Sequence, residues 1–268
     1  MNASLVLVIG LTFVITLIGT LALAVRIVGL RTHRWSMAYA LFNIMVLVSR
    51  LASTLQAPLL AKTIETNIKA GQLGGTAEFR FIMFSATLAT LVGGGLLPSF
   101  QRVLGRAVER YYDYRSIPKL MLSSLRWRTL RRMPAYLKWP DPANLDGLYR
   151  RRVVSIPMLM LNAVSSAVLT AGVLATLYAG YLNPDLRSTS ASMSGLINGL
   201  ATILATLFID PDLALLTDEV VAGQVSQGAY RRYLAQTLLA RLAGTVLAQV
   251  LLIPFAHGIV WGAEMLRV

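Results

Sequence analysis

The sequence predicts an all-α polytopic membrane protein of about six transmembrane helices, with both termini outside the cytoplasm (N-out/C-out). Three observations predict it. The chain is 56% hydrophobic and only 14% charged over 268 residues, the balance of a bilayer-embedded chain. Six apolar runs are long enough to cross a membrane, at 3–25, 36–60, 81–99, 153–181, 193–213 and 233–258. The basic residues are also unevenly shared between connectors. Arg26, Arg31 and Arg34, the 13 Lys and Arg of loop 101–152, and Arg231 with Arg232 make 18 on one side. Lys62, Lys69, Arg80, Arg187 and Arg267 make five on the other, a clear positive-inside asymmetry. The length fits a single transmembrane domain, 1–268, without a large soluble module.

The first span has no Lys or Arg ahead of it and positive charge behind it. It therefore reads as a retained span rather than a cleaved signal, although Ala22-Leu23-Ala24 imitates a cleavage site. The second span, Ser36–Leu60, carries Arg50 at 14 residues from Ser36, about 21 Å along a helix whose hydrocarbon path is about 30 Å. A guanidinium cannot shed its proton, so Arg50 needs a partner or a wet cavity. Asn43 lies seven residues earlier on the same face, and Gln56 six residues later, turned by about 120°. Two readings stay open: a polar stripe that meets an anionic headgroup, or a structural partner for an intramembrane carboxylate.

The third span is expected to be interrupted by Gly93-Gly94-Gly95 ahead of Pro98, either as a hinge or as a site of close helix packing. Beyond it, Phe100, Val103, Leu104, Ala107, Val108 and Tyr111 recur at helical spacing, with Arg102, Arg106, Glu109, Arg110 and Asp113 on the other face. This predicts an amphipathic helix continuing from the span and lying against the inner leaflet. The basic run 119–133 has no clean wheel, but its charge suits anionic phospholipids of the cytoplasmic leaflet.

The fifth span ends in FIDPDLALLTDE, where Asp210 and Asp212 flank Pro211. The sixth carries Arg241, eight residues in, or about 12 Å, deep enough to matter and shallow enough to snorkel. Depth alone makes Asp210–Arg241 the expected internal ion pair, structural or a switch that opens when an anion competes for the arginine. Gly195/Gly199 and Ala240/Gly244/Ala248 are packing faces of small residues. His257 stands alone and reads as structural.

Several chemistries are excluded. With no cysteine, the chain has no disulfide, zinc-thiolate site or thiol catalysis. Two histidines are too few for a histidine metal cluster. No HExxH or Walker loop occurs, so no metal and no cofactor is expected. The net charge of +13 is explained by topology, and no nucleic-acid partner is expected.

Six spans divide into three and three, which would orient the halves oppositely as in inverted-repeat transporters. LASTLQAPLLA (51–61) and LATLFIDPDLA (204–214) echo each other faintly. A true repeat would put Pro58 and Pro211 at corresponding helix breaks.

RIVGLRT (26–32), LFNIMVLVSRLASTLQAPLL (41–60), LPSFQR (97–102), RSIPKL (115–120) and FIDPDLALLTDE (208–219), in this order, resemble the bacterial alternate lipid II flippase family, named Amj. The resemblance covers nearly the whole chain. It implies movement of the undecaprenyl-diphosphate-linked peptidoglycan precursor, lipid II, from the inner to the outer leaflet of the plasma membrane. It supplies no binding residues. Chemically it suits the intramembrane arginines, because a guanidinium fork matches a diphosphate. Arg50, Asn43, Gln56 and Arg241 are thus the candidate substrate-binding residues, with Asp210 and Asp212 as gating or ion-pair residues. Two other readings compete: an integral-membrane enzyme acting on polyprenyl phosphate or phospholipid, and a scaffold subunit. An enzyme would need a paired nucleophile and base, which the sequence does not offer, and a scaffold would not need Arg50. Six spans enclose little volume, which leaves room for a homodimer.

Overall fold

The computed structural model describes residues 3–69, 76–114 and 153–265. Among these residues every regular element is helical, and six spans are long and apolar enough to cross a membrane. The protein is a multi-pass membrane protein of all-α class. Span 1 consists of α1 (Ala3–Leu21) and α2 (Leu23–Thr32), joined by a tightened turn in which the Val25 N–H donates to the Ala22 carbonyl at 3.1 Å. Span 2 is α3 (Trp35–Lys69), span 3 is α4 (Thr76–Tyr114) and span 4 is α5 (Ile156–Leu182). Span 5 is α6 (Arg187–Leu204), a π-turn (Ala205–Ile209) and α7 (Asp210–Val221). Span 6 is α8 (Gln227–Met265).

Turn chemistry sets several of the ends. α7 closes on Gly223, at φ +75°, with the Gln224 N–H donating to the Glu219 carbonyl at 2.9 Å, a left-handed stop that favours glycine. Ser226 then caps α8, its Oγ accepting from the Ala229 N–H at 3.2 Å. Pro157 occupies the first turn of α5, where its missing N–H has no role.

α3, α4 and α8 run for 35, 39 and 39 residues, well beyond the apolar runs, because more polar turns extend α4 and α8 at both ends and α3 at its C-terminal end. The extension of α4 is the amphipathic helix that the spacing predicts, but its apolar face is not laid on lipid. Leu104 and Val108 are buried against Val25 and Val28 of α2 and Met37 and Ala38 of α3, while Arg102, Arg106 and Glu109 face outward. The rest of the central loop, including the basic run 119–133, lies outside the described residues.

Far from the basic connectors, one core joins Val8 of α1, Ile64 of α3, Ile82 and Met83 of α4, Ala175 of α5 and Leu252 of α8, with Met193 and Ile197 of the fifth span packed against its edge. Phe79 meets Tyr178 edge-on there, with ring centroids 5.3 Å apart. At the basic end the core divides. One cluster joins Leu30, Val154, Val220 and Tyr230, and the other joins Val28, Ala38 and Val108. These clusters gather the ends of α2, α4 and α7 and the starts of α3, α5 and α8, so the three basic connectors share one end. Spans 2 and 5 are peripheral: 6% of the most apolar window of each is buried, against 22–39% in the others.

Close helix approach explains the glycines better than a hinge does. α4 runs unbroken through Gly93, Gly94, Gly95 and Pro98, so the expected interruption is absent. A Cβ on Gly93 would come within 2.8 Å of the Thr20 side chain on α1, and one on Gly94 within 2.9 Å of Leu238 on α8. Gly244 presses on the Ala163 carbonyl and Ser166 of α5. Pro58 and Pro254 also lie inside continuous helices. Only Pro211 of the echo pair stands at a discontinuity, which corrects the expectation of matching breaks. A proline ring clashes with the carbonyl four residues earlier. Here the preceding turn opens to a π-turn in which the Asp210 N–H bonds to the Ala205 carbonyl.

Candidate functional site: arginines along the first span

Arg241 projects from α8 toward α1. Its Nη1 donates to the Gly19 carbonyl at 3.2 Å. A Cβ on Gly19 would come within 3.0 Å of Nη2, so the guanidinium occupies the space that a side chain at 19 would fill. Among the described residues no carboxylate lies within salt-bridge distance of Arg241. The fork has five N–H donors, and a single carbonyl engages few of them.

Nearer the basic end, Arg26 of α2 pairs with Asp210 at the head of α7 at 3.2 Å and sits 6.0 Å from the Phe42 ring centroid on α3. The expected Asp210–Arg241 pair is therefore replaced by Arg26–Asp210. α7 lies beside the first turns of α8, where the Tyr233 hydroxyl donates to Asp212 Oδ2 at 2.6 Å and Tyr230 and Thr217 hydroxyls share a 3.0 Å bond. Arg241 is eight residues beyond Tyr233, about 12 Å deeper. Depth estimates from sequence placed the two charges together, whereas the packing of α7 separates them by about two turns. Gln236 Oε1 accepts the Val153 and Val154 N–H groups at 3.2 and 3.1 Å, which holds the chain as it enters α5.

On α3 the proposed polar stripe splits. Gln56 turns inward and donates to Thr12 Oγ1 at 2.7 Å. Ser49 donates to the Ile15 carbonyl at 3.4 Å. Asn43 stays on the exposed face, and position 50 shares its register. Arg50 is helical, near the middle of α3, and its side chain lies outside the described residues. The level of Arg50 on span 1 is thus next to Ile15, Arg241 sits at Gly19, and Arg26 is within the span itself. These levels step by about 6 Å and about 10 Å. Arg26 and Arg241 thus follow one another along span 1 from the basic end, and the backbone of position 50 lies one turn beyond.

A cavity of about 270 Å³ lies beside Asp212, Glu219, Tyr233 and Ser155, below the size of ordinary small-molecule sites and too small to enclose a glycan headgroup. His257 is exposed, its Nδ1 3.0 Å from the Ile253 carbonyl one turn back, which is local helix bonding. Sequence reasoning missed Arg26, Tyr230 and Tyr233. The available signal was that Arg26 stands inside the apolar run LALAVRIVGL while Arg31 and Arg34 close it. Counting it as a topogenic charge hid its role.

The family model described as Amj, alternate to MurJ, matches residues 11–263. A protein of Bacillus subtilis (strain 168) named lipid II flippase Amj is 34% identical over 246 residues, covering 91% of each chain. No solved structure matches. The family match reaches all six spans, and the chain belongs to the Amj family.

Proposed function

We infer that the protein is a lipid II flippase, a transporter rather than a catalyst, that carries the diphosphate-linked peptidoglycan precursor from the inner to the outer leaflet. The observation that carries the reading is Arg241, a guanidinium held inside span 6 on the Gly19 carbonyl with no carboxylate beside it among the described residues. Such a charge within a span calls for an anion, and a diphosphate is the anion a guanidinium fork suits best. The relative named as a lipid II flippase supports the substrate. Positive-inside asymmetry orients the basic end to the cytoplasm. Arg26 then meets the diphosphate first, followed by Arg241 and Arg50, with Asn43 two turns from position 50 on the exposed register of α3. Gln56 holds α3 to α1. Glycines 93 and 94 let α4 seat closely between α1 and α8. The headgroup is too large for the cavity beside Asp212.

The test is purified protein in liposomes carrying lipid II on one leaflet. Time-dependent appearance of the lipid on the other leaflet, at unchanged mass, is expected. Lipid II that stays on its leaflet would refute transport, and a changed mass would point to the enzyme reading.

A further inference from the structure

Two ion pairs join the first three spans to the last three: one ties span 1 to span 5 at the basic end, beside α3, and the other ties span 2 to span 5 at the far end. At the basic end Arg26, which also faces Phe42 of α3, holds Asp210 of span 5. At the far end Glu65 of α3 holds Arg187, the first residue of α6, at 2.8 Å. Phe42 to Glu65 and Arg187 to Asp210 are both 23 residues, about 34 Å along each span. That is slightly more than the hydrocarbon thickness of about 30 Å, so one pair falls at each leaflet boundary.

Between the two pairs, α3 and α6 are the least buried spans. On α3 the residues in helical register with Glu65 are Thr54, Leu51, Leu47 and Asn43, all exposed, with position 50 close by. In each pair a carboxylate occupies an arginine that could otherwise bind an anion. Each pair is also weak by construction, with side chains 30–53% exposed. Half-exposed pairs contribute little to stability and separate readily.

We propose that these pairs are the inner and outer gates of one lipid path between spans 2 and 5: a diphosphate takes Arg26 from Asp210 at the inner leaflet and Arg187 from Glu65 at the outer. A dianion competes for each arginine with a single carboxylate, and displacing it frees span 5 from its neighbour at that end. The polyprenyl tail stays in lipid alongside the exposed face of α3. This rests on the lipid II reading for the identity of the lipid, but not for the gating.

The gates are tested first without transport. In Leu51→Cys, a lone thiol on α3 lies between the pairs, and an impermeant thiol reagent is applied to either side of oriented vesicles. Glu65→Gln is expected to raise labelling from the outer side about fivefold, the shift that losing one such pair gives. Asp210→Asn is expected to do the same from the inner side only. Unchanged labelling, or an equal rise from both sides, would overturn the proposal. The second measurement uses lipid II in proteoliposomes with Glu65→Cys/Arg187→Cys bridged by a cleavable bifunctional thiol cross-linker, comparing the bridged and the cleaved states of the same sample. The bridge is expected to stop translocation and its cleavage to restore it. Full-rate movement with the bridge closed would sink the gate and leave the flippase reading standing. Side-specific labelling in a protein that never moves lipid II would keep the gate and sink the flippase reading.

Discussion

Arg241 and Gly19 meet across the α8–α1 interface, the guanidinium resting on bare backbone and donating to the glycine carbonyl at 3.2 Å. A side chain at 19 would compete for that space, but only with the far end of a flexible arginine. Gly19→Val is therefore expected to leave the detergent melting temperature within a few degrees of the parent while lowering lipid II translocation severely, because it swings the guanidinium aside. A melting loss as large as that of a core cavity variant would mean that the contact is a packing contact and not a positioning one.

Asp210 should couple to Arg26 and not to Arg241. In double-mutant cycles on thermal stability, Asp210→Asn with Arg26→Gln is expected to show a coupling of about 0.2–1 kcal/mol, as for exposed pairs. Asp210→Asn with Arg241→Gln should add within about 0.5 kcal/mol, as sites without shared partners do. The reverse pattern would mean that α7 sits two turns deeper than described.

The glycines divide into two classes by what surrounds them. Gly244→Ala drives a methyl into the Ala163 carbonyl, which is backbone and cannot yield, and Gly93→Ala meets Thr20 at 2.8 Å. Each is expected to destabilise by about 1–3 kcal/mol, the usual effect of overpacking. Gly195→Ala and Gly199→Ala find nothing within 4 Å and should be neutral or slightly stabilising, since alanine is the better helix former. Melting curves of the four single variants decide it.

How much of this was legible in the residues varied with the kind of contact. The spans were, because about 20 consecutive apolar residues leave the backbone few alternatives in a bilayer. So was the amphipathic run 100–109, whose period is local. Partners were not. Arg241 stood near Asp210 in estimated depth while Arg26 was counted with the connectors, and nothing in a one-dimensional pattern says that α7 lies beside Tyr233 rather than beside Arg241. Gln56 illustrates the same limit. Its wheel angle set it 120° from Arg50, but only the position of α1 explains why that angle makes it a tie to Thr12. The three adjacent glycines looked like weakness in a helix. Two of them, Gly93 and Gly94, are where α1 and α8 come close.

Orientation is open to a direct check in a chain without cysteine. Ser188→Cys, exposed at the start of α6, is expected to react with an impermeant thiol reagent on intact cells. Gln224→Cys, exposed in the connector between α7 and α8, should react only after permeabilisation. Labelling of position 224 from outside would invert the topology and exchange the two proposed gates.

The π-turn at Ala205–Ile209 has a consequence for what the chain can tolerate. One residue more than an α-helical turn requires is accommodated there, and it sets the rotation at which Asp210 and Asp212 leave span 5. The turn already absorbs one extra residue, so removing one of the five would close it to an ordinary α-helical turn with little rotation of α7. A second extra residue would find no such turn to enter and would rotate α7 by about 100°, taking Asp210 away from Arg26 and Asp212 away from Tyr233 together. Exchanging one apolar residue for another in the same stretch would not. At this point the chain is constrained by how many residues it has rather than by which ones, and a single codon insertion would undo what no conservative substitution could.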